Sequence, residues 1–179
     1  MRDAALSATE QEMSVLADRE ILPLRDPKEA LECARMMASA EPWITLGISP
    51  ELAHVIVSDS ARQLFLVRDD RGVAAFIILD MRGLLAGYIG VLCVREDRRR
   101  QGLGTALIEW AEARIFKSSP NVFICVSSFN TEARRLYERL GFAVVGRLHD
   151  FVVPGHDELL LRKARASWSE FRKAQHADI

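Results

Sequence analysis

The sequence predicts an α/β fold: a single mixed sheet flanked by helices, in the order β-α-α-β-β-β-α-β-α-β-β. Three observations carry this expectation. Short apolar runs rich in β-branched residues, such as Tyr88 to Val94 and the stretch from Asn121, alternate with segments whose apolar residues fall three and four apart. Turn signals separate them, among them Asp69-Asp70-Arg71-Gly72 and Pro154-Gly155-His156-Asp157. At 179 residues the chain is long enough for one domain with a substantial core and short for two.

The elements follow in order. Residues 1–18, rich in Ala, Ser, Glu and Asp and lacking apolar periodicity, read as a flexible leader to a domain spanning 19–163. Glu20 to Leu24 is a plausible first strand. Asp26-Pro27 and Ser49-Pro50 each pair a capping side chain with a proline at the first helical position, so two helices should start there. Gln63 to Arg68 and Val73 to Asp80 form a hairpin, and Met81-Arg82-Gly83 leads to the central strand at Tyr88. Ala143 to Val153 and Glu158 to Arg162 read as the last two strands. Residues 164–179, with Trp168 and Phe171 three apart, suggest a C-terminal helix or tail.

Composition narrows the function. A formal net charge of −1 argues against a general nucleic-acid or membrane binder, whose basic excess should be global. No apolar run reaches the length of a membrane span, and no signal core opens the chain. Three cysteines, Cys33, Cys93 and Cys125, are odd in number and lack metal-ligand spacing, so no metal is expected and the setting reads as reducing and cytoplasmic.

The chain is organised around Tyr88 to Phe116. A strand runs into Arg98-Arg99-Arg100-Gln101-Gly102-Leu103-Gly104-Thr105, and then into a helix with Leu103, Ala106, Leu107, Trp110, Ala111 and Ile115 on one face. The first N–H groups of a helix have no intrahelical partner, and the dipole is positive at that end. Glycines there let a ligand reach the backbone, so a phosphate or pyrophosphate is the natural guest. The dinucleotide fingerprint fails at Leu107, and the Walker pattern fails because Gly104 runs straight into Thr105. A plain glycine-containing β–α turn with a solvated basic loop is the competing reading.

Arg99, Gly102 and Gly104 meet the pyrophosphate motif Gln/Arg-x-x-Gly-x-Gly/Ala. Asn130, Leu136-Tyr137 and Gly141-Phe142 meet a second signature at fitting separation. On these residues the chain resembles the GCN5-related N-acetyltransferases (GNAT), in particular the ribosomal-protein N-terminal acetyltransferase-like branch. The resemblance covers roughly residues 19–163, with its motifs between Leu92 and Phe142.

That resemblance implies acetyl-CoA as co-substrate and, by direct attack in a ternary complex, a primary amine as acceptor (a protein N-terminus, a lysine or a small amine), on a small molecule or a peptide, in a chain that could form a homodimer. Leu92, Cys93 and Val94 would pair with the pantetheine arm, and Arg99, Arg100, Gln101, Gly102, Leu103, Gly104 and Thr105 would wrap the pyrophosphate. Asn130 would touch the cofactor, and Tyr137, also at the cofactor, would be the general acid that protonates the departing thiolate. Asn130 equally suits a helix N-cap, and Tyr137 equally borders a buried stripe of Ala133, Leu136 and Leu140. The branch carries a glutamate five residues before the asparagine; this sequence has Cys125, whose bland role is packing. Proton acceptors elsewhere include Glu41, His54, Asp80, His149, His156 and Glu158. Of these, His149 and His156 are expected near the acceptor pocket, with Glu41 and Trp43 on another wall, though Trp43 equally suits a hydrophobic plug. A catalytically weak acyl-CoA sensor of the same fold is the alternative, supported by the missing glutamate and opposed by Asn130 and Tyr137.

Overall fold

Asp26 and Ser49 start the first two helices. In the computed structural model, which describes residues 20–177, the Asp26 carboxylate accepts from the Lys28 N–H at 2.8 Å. The Ser49 hydroxyl likewise accepts from the Leu52 N–H at 3.2 Å. Both helices therefore begin on proline with one orphan donor satisfied. The leader expected at 1–18 lies outside the described residues.

The elements are β1 (Leu22–Pro23), α1 (Pro27–Ala38), α2 (Pro50–Val57), β2 (Gln63–Asp69), β3 (Gly72–Asp80), β4 (Tyr88–Val94), α3 (Leu103–Ile115), β5 (Asn121–Ser127), α4 (Thr131–Arg139), β6 (Ala143–Val153), β7 (His156–Ala164) and α5 (Trp168–Ala177). The first strand is shorter than expected. The last begins at His156, so only Pro154-Gly155 turns and two expected turn residues pair into the sheet. Gly155 takes the positive φ of 86° that this tight turn demands.

The strands form one seven-stranded sheet in the order β1-β2-β3-β4-β5-β7-β6. Every neighbouring pair is antiparallel except β4 and β5, which are parallel. Both faces of the central strands are covered. Phe65, Val67, Ala75, Ile77 and Leu79 pack with Leu103, Leu107, Ala111 and Ile115 of α3. Leu64, Leu66, Phe76 and Ile78 pack with Ala30, Cys33, Ala34 and Met37 of α1 and with Ala53 and Val57 of α2. This two-sided burial is why Val73 to Leu79 is apolar at every position, where a half-buried strand would alternate.

What positions the site is the behaviour of β4. On one side it pairs with β3 along its length, from Asp80↔Tyr88 to Ala75↔Val94. On the other it pairs with β5 only at Tyr88↔Phe123 and Ile89↔Ile124. The register with β3 shifts between Ile78↔Val91 and Leu79↔Ile89, so Gly90 is an extra residue in a β-bulge. A bulge bends its strand and sharpens the twist. The bend comes where β4 leaves β5, and the two strands open into a wedge.

Gly87 sets the root of that wedge. Its carbonyl accepts from the Phe123 N–H at 3.0 Å, and its φ is +94°. A Cβ there would lie 2.5 Å from the Asn121 carbonyl oxygen and 2.6 Å from Ile115 Cγ2. Gly87→Ala combines a left-handed backbone with overpacking, and is expected to lower stability by about 2–4 kcal/mol in urea unfolding. A loss under about 0.5 kcal/mol would mean the strand junction adapts freely.

Candidate active site

The wedge between β4 and β5 is the mouth of a cleft of about 990 Å³. Its floor is the β4 edge from Gly90 to Val94, which has no strand beside it on the β5 side. At the far end of β4 the chain turns through Glu96–Arg98 and enters α3. Arg100 holds a positive φ of 56°, and the N-cap Gly102 sits in the left-handed region at φ 80°. The cap has no side chain to bond the first turn, and Gly102 O accepts from the Ala106 N–H at 3.0 Å. The amides of Leu103, Gly104 and Thr105 thus form the positive end of a helix facing the cleft. An ideal Cβ on Gly104 would meet Leu136, Val94 and Leu92 only at 3.8–4.0 Å. The protein leaves that space free, as an anion cradle requires.

Charge at this end is sorted by Asp69. Its carboxylate, 6% exposed, accepts from Arg95 at 2.6 Å and from Arg98 at 2.7 Å. Arg95 also reaches Asp97 at 2.6 Å. Arg98 therefore braces the loop while also lining the cleft. Arg98, Arg99 and Arg100 all line the cleft, and α4 adds Arg135 and Arg139 to its lining. Sequence reading passed over those two; the signal was the run of arginines on the helix that follows Asn130.

Leu92, Cys93, Val94, Arg99, Arg100, Gly102, Gly104, Thr105, Asn130 and Tyr137 all line the cleft. Gln101 does not: its side chain donates to the Asp97 carbonyl at 2.9 Å and stiffens the loop. Leu103 buries its side chain in the core, leaving only its backbone N–H for the cradle. The Asn130 side chain caps α4, accepting from the Ala133 N–H at 3.2 Å. Tyr137 is both core and cleft: 7% exposed, it packs on Phe142 at 6.2 Å and borders the cavity. Burial, and then the charge of Glu158, push its hydroxyl well above the ordinary phenol range, so it stays protonated and able to donate.

At the other end, Pro42, Trp43, Leu46, Ile48 and Ile56 face Phe151 and Val152 across an apolar pocket. Trp43 also packs against the α1–α2 core, so it serves as plug and wall together. Glu41 lines the pocket but accepts from the Thr45 N–H at 3.3 Å, which ties it to its own loop.

The two histidines do not join the cleft lining. His149 is 74% exposed, and its Nδ1 lies 3.2 Å from Asp157. His156 is half-buried edge-on against Phe129, with ring centroids 5.0 Å apart. For His149 the cause is an irregular stretch of β6, where register is lost between Leu148 and Val153 and Asp150 takes a φ of +48°, whereas His156 lies on β7 beyond its last pairing with β5. In their place the cleft holds Tyr88, Cys125, Ser127 and Glu158. Burial pushes the Cys125 thiol up, so it remains a thiol and makes a poor base. Burial likewise pushes Cys93 up to about 12.

A strand edge open beside a parallel neighbour runs into a helix N-terminus without a side-chain cap, an arrangement that can take an extended ligand with an anionic group at one end. The acetyltransferase (GNAT) family profile matches residues 28–142, well over half of the chain, and the protein belongs to that family. Among curated proteins, the chain is 36% identical over 77 residues to N-alpha-acetyltransferase 30 of Xenopus laevis, covering 42% of this chain and 28% of that one. It is 33% identical over 76 residues to N-alpha-acetyltransferase 30 of Dictyostelium discoideum, covering 42% and 41%. These matches span less than half the length of either relative. Among solved structures, Arabidopsis thaliana NAA60 in complex with a bisubstrate analogue matches with a TM-score of 0.65 and 20% identity, covering 82% of this chain and 97% of that one. The ribosomal-protein-S18-alanine N-acetyltransferase of Escherichia coli matches at 0.63 and 22%, covering 84% and 97%. Both share the fold.

Asp69 makes the loop's charge balance testable. Arg95, with Arg98, holds its carboxyl far below the ordinary value of about 3.9. A depressed acid stabilises the fold fully above its unfolded pKa and loses that contribution as pH falls through the folded value. Asp69→Asn should therefore be less stable than wild type at pH 7, with the gap in melting temperature constant above about pH 5 and closing below about pH 4. A gap that widens as pH falls would contradict the sign.

Proposed function

We propose that this protein transfers an acetyl group from acetyl-CoA to the α-amino group of a peptide or protein, within one ternary complex. The observation that carries the reading is the open β4 edge from Gly90 to Val94 leading into the first turn of α3. The pantetheine arm has amides spaced along an extended chain, and an unpaired strand edge accepts such a partner as it would a neighbouring strand. The amides of Leu103, Gly104 and Thr105 would receive the pyrophosphate, with Arg99, Arg100, Arg135 and Arg139 supplying charge. Bound there, acetyl-CoA supplies an activated acyl group on a thiolate leaving group.

The chain's own residues would do the rest. Backbone N–H groups on the open edge of β4 would stabilise the negative charge that develops on the thioester oxygen. Tyr137, held protonated by burial, donates to the departing sulfur. An α-amino group titrates at about 7.7–8.0, against about 10.4 for lysine, so it is the easier amine to deprotonate near neutral pH. The apolar walls of Trp43, Ile56, Phe151 and Val152 suit the first side chains of a peptide. Two relatives named as N-alpha-acetyltransferases support the same acceptor class. Three free cysteines, Cys33, Cys93 and Cys125, suit a reducing compartment such as the cytoplasm.

The test joins calorimetry with thiol release. Acetyl-CoA should bind the wild type, and Gly104→Val should fold yet bind at least about tenfold more weakly, because the added side chain fills the cradle. Peptides with free N-termini should release CoA faster than N-blocked peptides carrying lysine, or than small polyamines. Equal affinity in a folded Gly104→Val protein would refute the cradle. Binding without release from any amine would favour the sensor reading.

A further inference from the structure

The branch this chain resembles carries a glutamate at the position of Cys125, and the thiol that replaces it is half-buried and held protonated. The cleft nevertheless contains a carboxylate. Glu158 enters from β7, paired with Ser127 across β5 and with Leu148 across β6. It is 6% exposed and lines the cleft. The Ser127 hydroxyl donates to its Oε1 at 2.5 Å, and among the described residues no lysine or arginine pairs with it. A buried carboxylate without a cation is costly, and a site that keeps one has a use for a proton acceptor. The titratable groups around it are Tyr88 from β4, Cys125 from β5 and Tyr137 from α4, and its charge raises all three.

We propose that Glu158 is the general base of this enzyme, taking the proton from the acceptor's ammonium directly or through one water, in place of the glutamate that Cys125 displaces. The assignment rests on the N-acetyltransferase reading above. In the step, R–NH3+ gives one proton to the Glu158 carboxylate, and the freed lone pair forms an N–C bond to the thioester carbon. The C–S bond breaks, and the thiolate takes the Tyr137 proton. The phenolate recovers a proton from the amide nitrogen as that nitrogen sheds its second. The sum is R–NH3+ plus acetyl-CoA giving the acetamide, CoA thiol and one proton, which Glu158 returns to solvent.

The geometry couples the two groups. Burial holds the Tyr137 proton in place, and the charge of Glu158, while ionised, adds to that hold. Once Glu158 is protonated that charge is gone and the phenol becomes the stronger acid, so taking the amine's proton readies the donor for the leaving group. Burial raises the Glu158 carboxyl above the usual carboxylate range, and the Ser127 hydrogen bond draws it part of the way back. A base above the carboxylate range is better matched to an α-amino group than an exposed acid would be.

The experiment is the pH dependence of kcat at saturating acetyl-CoA and peptide, for wild type, Glu158→Gln and Ser127→Ala. Glu158→Gln should lower kcat by about 10²-fold or more and lose the acidic limb, with acetyl-CoA affinity retained. Ser127→Ala removes the one hydrogen bond that lowers the Glu158 carboxyl, so its acidic limb should move to higher pH. The acceptor's ionisation is common to all three proteins, so a limb that moves belongs to the enzyme. Ser127→Ala decides the matter even if Glu158→Gln does not fold. Wild-type kcat and limb in Glu158→Gln, or an unmoved limb in Ser127→Ala, would place the base elsewhere and leave the acetyltransferase reading intact. A wild type that binds acetyl-CoA and acetylates no peptide would overturn that reading and the assignment with it.

Discussion

The parting of β4 from β5 is the constraint on which the rest of the structure depends. A parallel pair that held register along its length would leave no edge to offer and no room between the strands. Here the pair makes two contacts, at Tyr88 and Ile89, and then ends. Gly87 lets the strands meet closely at the root, and the bulge at Gly90 turns β4 away. Because β3 still pairs β4 throughout, only one edge is exposed, and the sheet is not weakened on its other side. One glycine closes the joint and another opens it.

The ends of this wedge are finished by opposite electrostatic means. At the α3 end, positive charge is concentrated and then partly offset: Asp69 pairs with Arg95 and Arg98 and makes them struts between the β2–β3 turn and the loop before α3. At the other end a carboxylate is kept buried and, among the described residues, pairs with no cation, beside two phenols and a thiol whose protons it helps to retain. On the covered face, by contrast, the buried Glu112 is matched by Lys163 at 2.6 Å. The protein thus pairs one buried acid with a lysine and holds the other in the cleft on a hydroxyl alone, the arrangement on which the proposed proton transfer rests.

Much of this was legible in the sequence, for local reasons. Tyr88–Val94 starts after Gly87 and runs out into the charged stretch from Arg95, and Leu103–Ile115 starts after Gly102, so the junction between them is sharp. Asp26-Pro27 and Ser49-Pro50 announced their helices through capping chemistry within four residues. The acceptor side was harder. His156 and Glu158 stand two apart on one strand and so share a face; no alternation rule separates them. What separates them is register: Glu158 lies opposite Ser127, the last residue of β5, whereas His156 reaches past that strand to Phe129. His149 was misplaced because a positive φ at Asp150 breaks the alternation of β6. The choice of Arg98 over Arg99 as partner for Asp69 is likewise a tertiary fact, with no trace in a run of three arginines.

The account's central claim is that the open edge of β4, continued by the first turn of α3, is where the acyl donor binds. Backbone hydrogen exchange measured with and without acetyl-CoA addresses it residue by residue. Amides on the open side of Gly90–Val94 lack a strand partner, and those of Leu103–Thr105 lack a helical one, so they should exchange quickly in the free protein. The account predicts strong protection of both sets on adding acetyl-CoA, with the β2–β3 amides unchanged. Protection confined to the exposed β6 edge, with Gly90–Val94 and Leu103–Thr105 unaltered, would contradict it.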